Sequence, residues 1–116
     1  MAVIVKTDDP QKLLNLIKQQ IDLKKIETWS YDNSTGYFTH NPEQWKFKAW
    51  FWTRVYAQEL RFGILAPKDV NLSVSVYGVY HGRFIEMLLS HFDKNFTEAY
   101  ATAQKTDPDY FVIKPK

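Results

Sequence analysis

Residues 44–65, QWKFKAWFWTRVYAQELRFGIL, hold the strongest strand pattern in this chain. Successive side chains of a β-strand point to opposite faces of the sheet, so regular alternation indicates a strand with one buried face. Residues 44–53 separate into an apolar set and a set of cations and rings: Trp45, Phe47, Ala49 and Phe51, against Lys46, Lys48, Trp50 and Trp52. Residues 59–65 place Leu60, Phe62 and Ile64 on one face. The stretch therefore predicts two adjacent strands.

Further strand patterns lie on both sides of this stretch. Ala2–Val5 is short and β-branched, which favours a strand. Residues 25–31 and 37–40 flank Asp32–Gly36, a run of turn-forming residues, and together they predict a hairpin. Residues 72–79 alternate again, with Leu72, Val74 and Val76 predicted to point inward.

Two segments have helical periodicity. Asp9 followed by Pro10 is typical of a helix start, because the carboxylate accepts from a free backbone N–H and proline lacks the N–H that would go unpaired. A leucine and isoleucine stripe then predicts a helix over about 10–22. A second helix is predicted to begin near residues 80–83 and to bury Phe84, Leu88 and Phe92, with residues 96 and 99 as a possible extension.

These elements predict a two-layer α+β domain, in which a mostly antiparallel sheet of about five strands packs against an N-terminal and a C-terminal helix. We expect one domain over residues 1–116, with 102–116 a partly mobile tail and 110–113 a candidate edge strand. The expected core consists of Leu13, Leu14, Ile17, Ile21, Trp45, Phe47, Phe51, Leu60, Phe62, Ile64, Val74, Val76, Phe84, Ile85, Leu88 and Leu89.

Composition excludes several classes of chemistry. The 116 residues contain no cysteine, which removes disulfides, thiolate nucleophiles, iron–sulfur clusters and thiolate zinc sites. No glycine-rich phosphate loop, serine nucleophile elbow or metal-ligand spacing is present, so we expect no cofactor and no bound metal. The chain has neither a secretory pattern nor an apolar run of membrane-spanning length, and we expect a cytoplasmic protein without a membrane partner.

The first candidate site follows from clustered charge. Residues 44–68 hold five basic side chains against Glu59 alone, whereas the whole chain has a net charge of only +2. On one strand face, Lys46, Lys48, Trp50, Trp52 and Arg54 form a line, and Arg61 on the next strand is expected on the same side. Such a surface suits a protein partner, a second copy of this chain, or the phosphates and bases of a nucleic acid. The alternative is that the C-terminal tail covers it. A working surface requires Trp50 and Trp52 to be partly exposed.

The second candidate site is a pocket near the start of the second predicted helix. Its expected residues are His40, Glu43, Tyr77, His81, Arg83 and Glu86, with Trp45 as a further lining side chain. A histidine near a helix start can hold an anion or move a proton. The alternative is purely structural, since Arg83 and Glu86 are spaced to form a surface ion pair.

Two functions of different class follow. The leading hypothesis is a non-enzymatic binding or interaction module that uses the tryptophan- and lysine-rich strand face for a homodimer or protein partner, with nucleic acid less favoured because the net charge is low. The alternative is a small enzyme or ligand-binding domain that uses the pocket. An exposed Trp50 and Trp52 favours the first hypothesis, and a concave site with His81 and Arg83 favours the second.

Overall fold

A computed structural model describes residues 2–104 and contains one antiparallel sheet and two helices. The elements in chain order are β1 (Ala2–Lys6), α1 (Pro10–Asp22), β2 (Trp29–Tyr31), β3 (Phe38–His40), β4 (Trp50–Val55), β5 (Glu59–Leu65), α2 (Val74–Phe92) and β6 (Glu98–Ala101). The order across the sheet is β2-β3-β4-β5-β1-β6. This architecture confirms the predicted two-layer α+β fold, with six strands where about five were expected.

Both helices pack on one face of the sheet, which we call the inner face. Leu13 and Ile17 of α1 join Phe84 and Leu88 of α2 in one buried cluster, which also contains inward side chains of the strands. The opposite, outer face carries the alternate residues of the same strands. β4 and β5 pair over six residues, with Phe51 opposite Ile64 on the inner face and Trp52 opposite Gly63 on the outer face.

The first helix forms where the sequence predicts it. The Asp9 carboxylate accepts a hydrogen bond from the backbone N–H of Lys12 at 3.2 Å, and Pro10 occupies the first turn. Leu13, Leu14 and Ile17 are buried, as their spacing requires for one face of a helix.

The second helix starts earlier than predicted, and the expected strand over 72–79 is wrong. Ser73 caps α2 by accepting from the N–H of Val76 at 3.1 Å, so the helix takes up Val74–Val79. The alternating valines and serines imitate a strand, but the buried positions Tyr80, Phe84 and Leu88 continue a helical period. Val74, expected in the core, is therefore 89% exposed.

The strand predicted over 44–53 begins only at Trp50. The preceding residues form a turn, in which the N–H groups of Trp45 and Lys46 both donate to the carbonyl of Pro42. Phe47 has a left-handed backbone, with φ of 62°, and its ring is 54% exposed rather than buried. A left-handed residue interrupts an extended strand, so the alternation before Trp50 does not determine which side chains face the core.

The remaining differences lie at the chain ends and in the hairpin. β2 and β3 confirm the hairpin but are three residues each. Residues 96 and 99, expected to extend the second helix, lie beyond its end, and Glu98–Ala101 forms edge strand β6. Thr102 exchanges hydrogen bonds with Ala2, which fixes it beside β1. The predicted strand at 110–113 lies outside the described residues.

The core is more aromatic than expected. Most predicted members are buried, but Leu89 is 56% exposed on the solvent side of α2. Trp29, Phe38 and Tyr80, which were not predicted, are fully buried, and Trp29 packs edge-on against Tyr80 and Phe84. Within residues 2–104, no helix is both long and apolar enough to cross a bilayer.

Candidate functional site

The structure separates the predicted line of cations and rings into two parts. Trp50, Trp52 and Arg54 share the outer face of β4, and Arg61 of β5 lies opposite Arg54 in register, as expected. Lys46 and Lys48 do not continue this line, because they belong to the turn that precedes β4. Of the five residues expected on one strand face, three therefore lie on β4 and two lie on the turn before it.

The rings of the outer face are mainly engaged in contacts within the chain. Trp50 is only 4% exposed and stacks on Phe47, with ring centroids 6.2 Å apart, so it does not meet the partial exposure that a working surface requires. Trp52 is half-buried, and the Arg54 guanidinium lies 5.0 Å above its ring. Stacked arginines keep their charge but cover the ring that a base would need.

Glu59 lowers the positive charge of this surface. Its carboxylate accepts hydrogen bonds from Lys6 Nζ and from Arg61 Nε, and it is nearly buried between them. The hydrogen bond from Lys6 holds the pKa of Glu59 below its ordinary value, and the same bond raises the pKa of Lys6. Part of the cationic character expected for a nucleic-acid surface is thus neutralised inside the protein.

The predicted pocket is also divided. His81 is buried in the core, where Nδ1–H donates to the Tyr77 carbonyl one helical turn earlier at 2.8 Å and the two rings stack. Glu43 is exposed on the turn. His40, Arg83 and Glu86 do come together, at a cleft between the hairpin and the second half of α2.

We call this site the His40 cleft. Its volume is about 330 Å³, and the lining residues are Thr28, Trp29, His40, Pro42, Trp45, Arg83, Glu86, Met87, Ser90 and His91. The hairpin supplies Thr28, Trp29 and His40, the turn supplies Pro42 and Trp45, and α2 supplies the remainder. The α2 residues were partly missed, although the spacing 83, 86, 87, 90 defines one face of a helix and was available as a signal.

His40 and Trp29 are paired in register across β2 and β3, and they lie together in the cleft. Their ring centroids are 4.6 Å apart, and both side chains are nearly inaccessible. His40 Nδ1 lies 2.9 Å from the Thr28 carbonyl, which can only accept, so Nδ1 carries the proton. Nε2 then presents a lone pair and makes no hydrogen bond to any residue within 2–104.

Burial keeps this imidazole neutral. Loss of solvation lowers the pKa of His40 below its ordinary value, and the nearby positive charge of Arg83 lowers it further. The hydrogen bond to Thr28 and the charge of Glu86 act in the opposite direction but are outweighed. At neutral pH His40 is therefore an acceptor of hydrogen bonds at Nε2.

Trp29, which is paired with His40, carries an indole N–H without a partner among the described residues. The indole is 1% exposed, and its Nε1–H has no hydrogen-bond partner among residues 2–104. Buried polar groups without a partner cost about 1–3 kcal/mol, and in native proteins each calls for an explanation such as a water or a ligand. The residues of the cleft thus include one buried donor, Trp29 Nε1–H, and one acceptor, His40 Nε2, that no group within residues 2–104 satisfies.

The walls of the cleft combine apolar surface with a balanced ion pair. The half-buried Trp45 is fixed on its turn because the Tyr80 hydroxyl donates to the Trp45 carbonyl at 2.6 Å. On the α2 side, Arg83 donates to Glu86 at 3.0 Å, and both side chains are more than half exposed. The arrangement suits binding of a small molecule with both polar and apolar parts.

Neither metal-ligand geometry nor comparison with known proteins assigns a function to this site. Within residues 2–104, no group of three or more histidine or carboxylate side chains is placed to hold a metal ion. No protein-family model, curated protein or solved structure matches this chain.

Proposed function

We propose that this protein is a non-enzymatic binding module and that the His40 cleft is its ligand site. The observation that supports this proposal is a pair of contacting rings in a concave surface, His40 with an unpartnered Nε2 lone pair and Trp29 with a buried, unpartnered Nε1–H. A ligand that accepts from one and donates to the other recovers hydrogen bonds that the protein alone leaves unmade.

The dimensions of the cleft limit the ligand to a small molecule. A volume of 330 Å³ lies near the lower end of the roughly 300–1,000 Å³ of small-molecule sites. Arg83 and Glu86 contribute opposite charges at the same wall, so the cleft has no dominant sign. These features favour a ligand of about one ring and no net charge.

The surroundings of His40 favour recognition over catalysis. A catalytic base is usually oriented by a carboxylate, which also stabilises the imidazolium that forms during proton transfer. Here the Nδ1–H partner is a backbone carbonyl, and burial opposes the charged ring. This environment stabilises the neutral acceptor state that binding requires.

The test uses the four tryptophan indole N–H signals in ¹H–¹⁵N spectra. Trp29 and Trp45 lie in the cleft, whereas Trp50 and Trp52 lie on β4. Titration with D-glucose, uracil, acetate, phosphate and methylammonium is expected to shift the cleft pair with at least one probe. If none of these probes moves either cleft signal, the proposal is wrong.

A blocking variant with a matched control sharpens this test. Ser90 lines the cleft on α2, and Ser75 is exposed on the same helix away from it. Ser90→Phe is expected to fill the cleft and abolish the shifts, while Ser75→Phe preserves them. Equal binding by both variants would place the ligand elsewhere.

The outer face is a second candidate, for an anionic partner such as nucleic acid or for a second copy of this chain. Arg54 and Arg61 lie directly opposite each other in register, so their side chains share the outer face and a phosphate can accept from both guanidinium groups.

Salt dependence distinguishes the occupants of the outer face. A single-stranded oligonucleotide bound there is expected to shift the Trp52 indole signal, and its affinity is expected to fall steeply between about 50 and 200 mM salt because counterions are released. Self-association instead doubles the mass measured by light scattering and depends little on salt. Arg54→Gln should weaken oligonucleotide binding and leave self-association unchanged.

The cytoplasmic location expected from the cysteine-free sequence stays a prediction.

A further inference from the structure

We infer that the ligand of the His40 cleft is a neutral, polyhydroxylated ring of monosaccharide size. This inference rests on the proposed function and names the substrate class of that same site. It follows from three features of the cleft, which are the acceptor character of His40, the mixture of donors and acceptors, and the apolar walls.

His40 selects against anions. An ionised carboxylate has no proton to donate to the Nε2 lone pair, so it accepts a hydrogen bond there only after the imidazole is protonated. Burial and the charge of Arg83 both oppose that protonation. A ligand hydroxyl or N–H, in contrast, donates to Nε2 without any change of charge.

The other polar groups of the cleft favour hydroxyls. The Trp29 Nε1–H and the Arg83 guanidinium can only donate, whereas the Glu86 carboxylate can only accept. A hydroxyl oxygen can both donate and accept a hydrogen bond. A ring with several hydroxyls therefore offers a donor and an acceptor at several positions. A flat base offers donors and acceptors only along its edges, so fewer of these groups are satisfied at once.

Apolar walls beside these polar groups suit the C–H faces of a sugar ring. Trp45, Pro42 and Met87 line the cleft together with its polar residues. Aromatic and aliphatic surface packs against the ring carbons, while polar side chains orient the hydroxyls. The volume of 330 Å³ is of the size of one such ring rather than of an oligosaccharide.

The experiment compares sugars with probes that lack one feature each. D-glucose, D-galactose and D-mannose are titrated beside cyclohexanol, uracil, acetate and phosphate, and the indole signals of Trp29 and Trp45 are followed together with the His40 ring ¹⁵N shifts. At least one sugar is expected to shift the cleft signals with a Kd of about 1–10 mM, while His40 stays neutral.

Two variants test the polar wall. Arg83→Gln and Glu86→Gln remove charges from exposed side chains and are expected to weaken sugar binding roughly two- to tenfold each without unfolding the protein. Glu98→Gln, on the exposed edge strand, is the matched control and should leave the Kd unchanged.

The outcomes separate this inference from the proposed function. Saturable shifts of the cleft signals with uracil, cyclohexanol, acetate or phosphate, and none with a sugar, would overturn the sugar assignment and leave the cleft as a binding site. No shift with any probe would overturn both. Sugar binding that is unaffected by both wall variants would also contradict the assignment.

Discussion

At the scale of single residues, the proposed ligand site depends mainly on His40. Its sequence neighbours suggest an exposed polar loop, yet the residue is 4% exposed and its ring lies against that of Trp29, with centroids 4.6 Å apart. The pairing of β2 with β3 places the two side by side, and a contact between residues eleven positions apart depends on the register of the hairpin. Sequence alone therefore indicated the residue but not its partner or its protonation state.

The buried His40 predicts a pH dependence of stability. Its pKa is lowered in the folded state, so below the unfolded value of about 6.5 the unfolded chain binds a proton that the folded protein resists. The free energy of unfolding should therefore fall as the pH is lowered from 7 to 5. Glu59, whose folded pKa is also lowered, adds a loss only below about 4.5.

Denaturant unfolding at pH 7 and pH 5 measures this effect. His40→Asn retains a donor to the Thr28 carbonyl but cannot titrate, and it should reduce the difference in stability between the two pH values. His91→Asn, at an exposed position on α2, is the control and should behave as the parent protein. If the difference in stability between pH 7 and pH 5 is unchanged in His40→Asn, titration of His40 is not its cause.

At the scale of elements, local signals predicted α1 and β5 well and misplaced the start of α2. Helix α1 has a cap, a first-turn proline and a regular stripe that all agree. In α2, valines and two glycines oppose the helix locally, and the burial of Tyr80 and Phe84 against the sheet outweighs them. Tertiary packing of this kind cannot be read from a local window.

The two helix caps predict a measurable cost of removal. Asp9→Ala and Ser73→Ala each leave a first-turn N–H without its side-chain acceptor, and each should lower the free energy of unfolding by about 1 kcal/mol. Circular dichroism during urea unfolding provides the measurement. If Ser73→Ala has no effect while Asp9→Ala does, α2 does not begin at Val74.

Adjacent leucines of α2 test which side of the helix faces the sheet. Leu88 is fully buried, so Leu88→Ala should cost about 2–5 kcal/mol through lost contacts and the cavity left behind. Leu89 is more than half exposed, and Leu89→Ala should change stability by less than about 0.5 kcal/mol. Comparable losses for both variants, measured by denaturant unfolding, would be inconsistent with the orientation of α2.

At the scale of the whole molecule, the layer arrangement was predictable and the location of the proposed ligand site was not. Segregated apolar faces on strands and helices require two packed layers, and the structure has them. The tryptophan-rich stretch was predicted to form a binding surface. In the structure, however, Trp50 is buried, Arg54 stacks on Trp52, and Arg61 pairs with Glu59. The cleft instead joins residues 28–45 with residues 83–91 of α2, two regions distant in sequence that only the fold brings together.

We propose that the His40 cleft, rather than the outer face of the sheet, binds the ligand. The most direct measurement is a ¹H–¹⁵N titration with the monosaccharide that binds best, using the four indole signals, each assigned by a single Trp→Phe substitution. We expect the Trp29 and Trp45 signals to move together to saturation while those of Trp50 and Trp52 stay in place. Shifts confined to Trp50 and Trp52, or no shift with any sugar or other small probe, would contradict it.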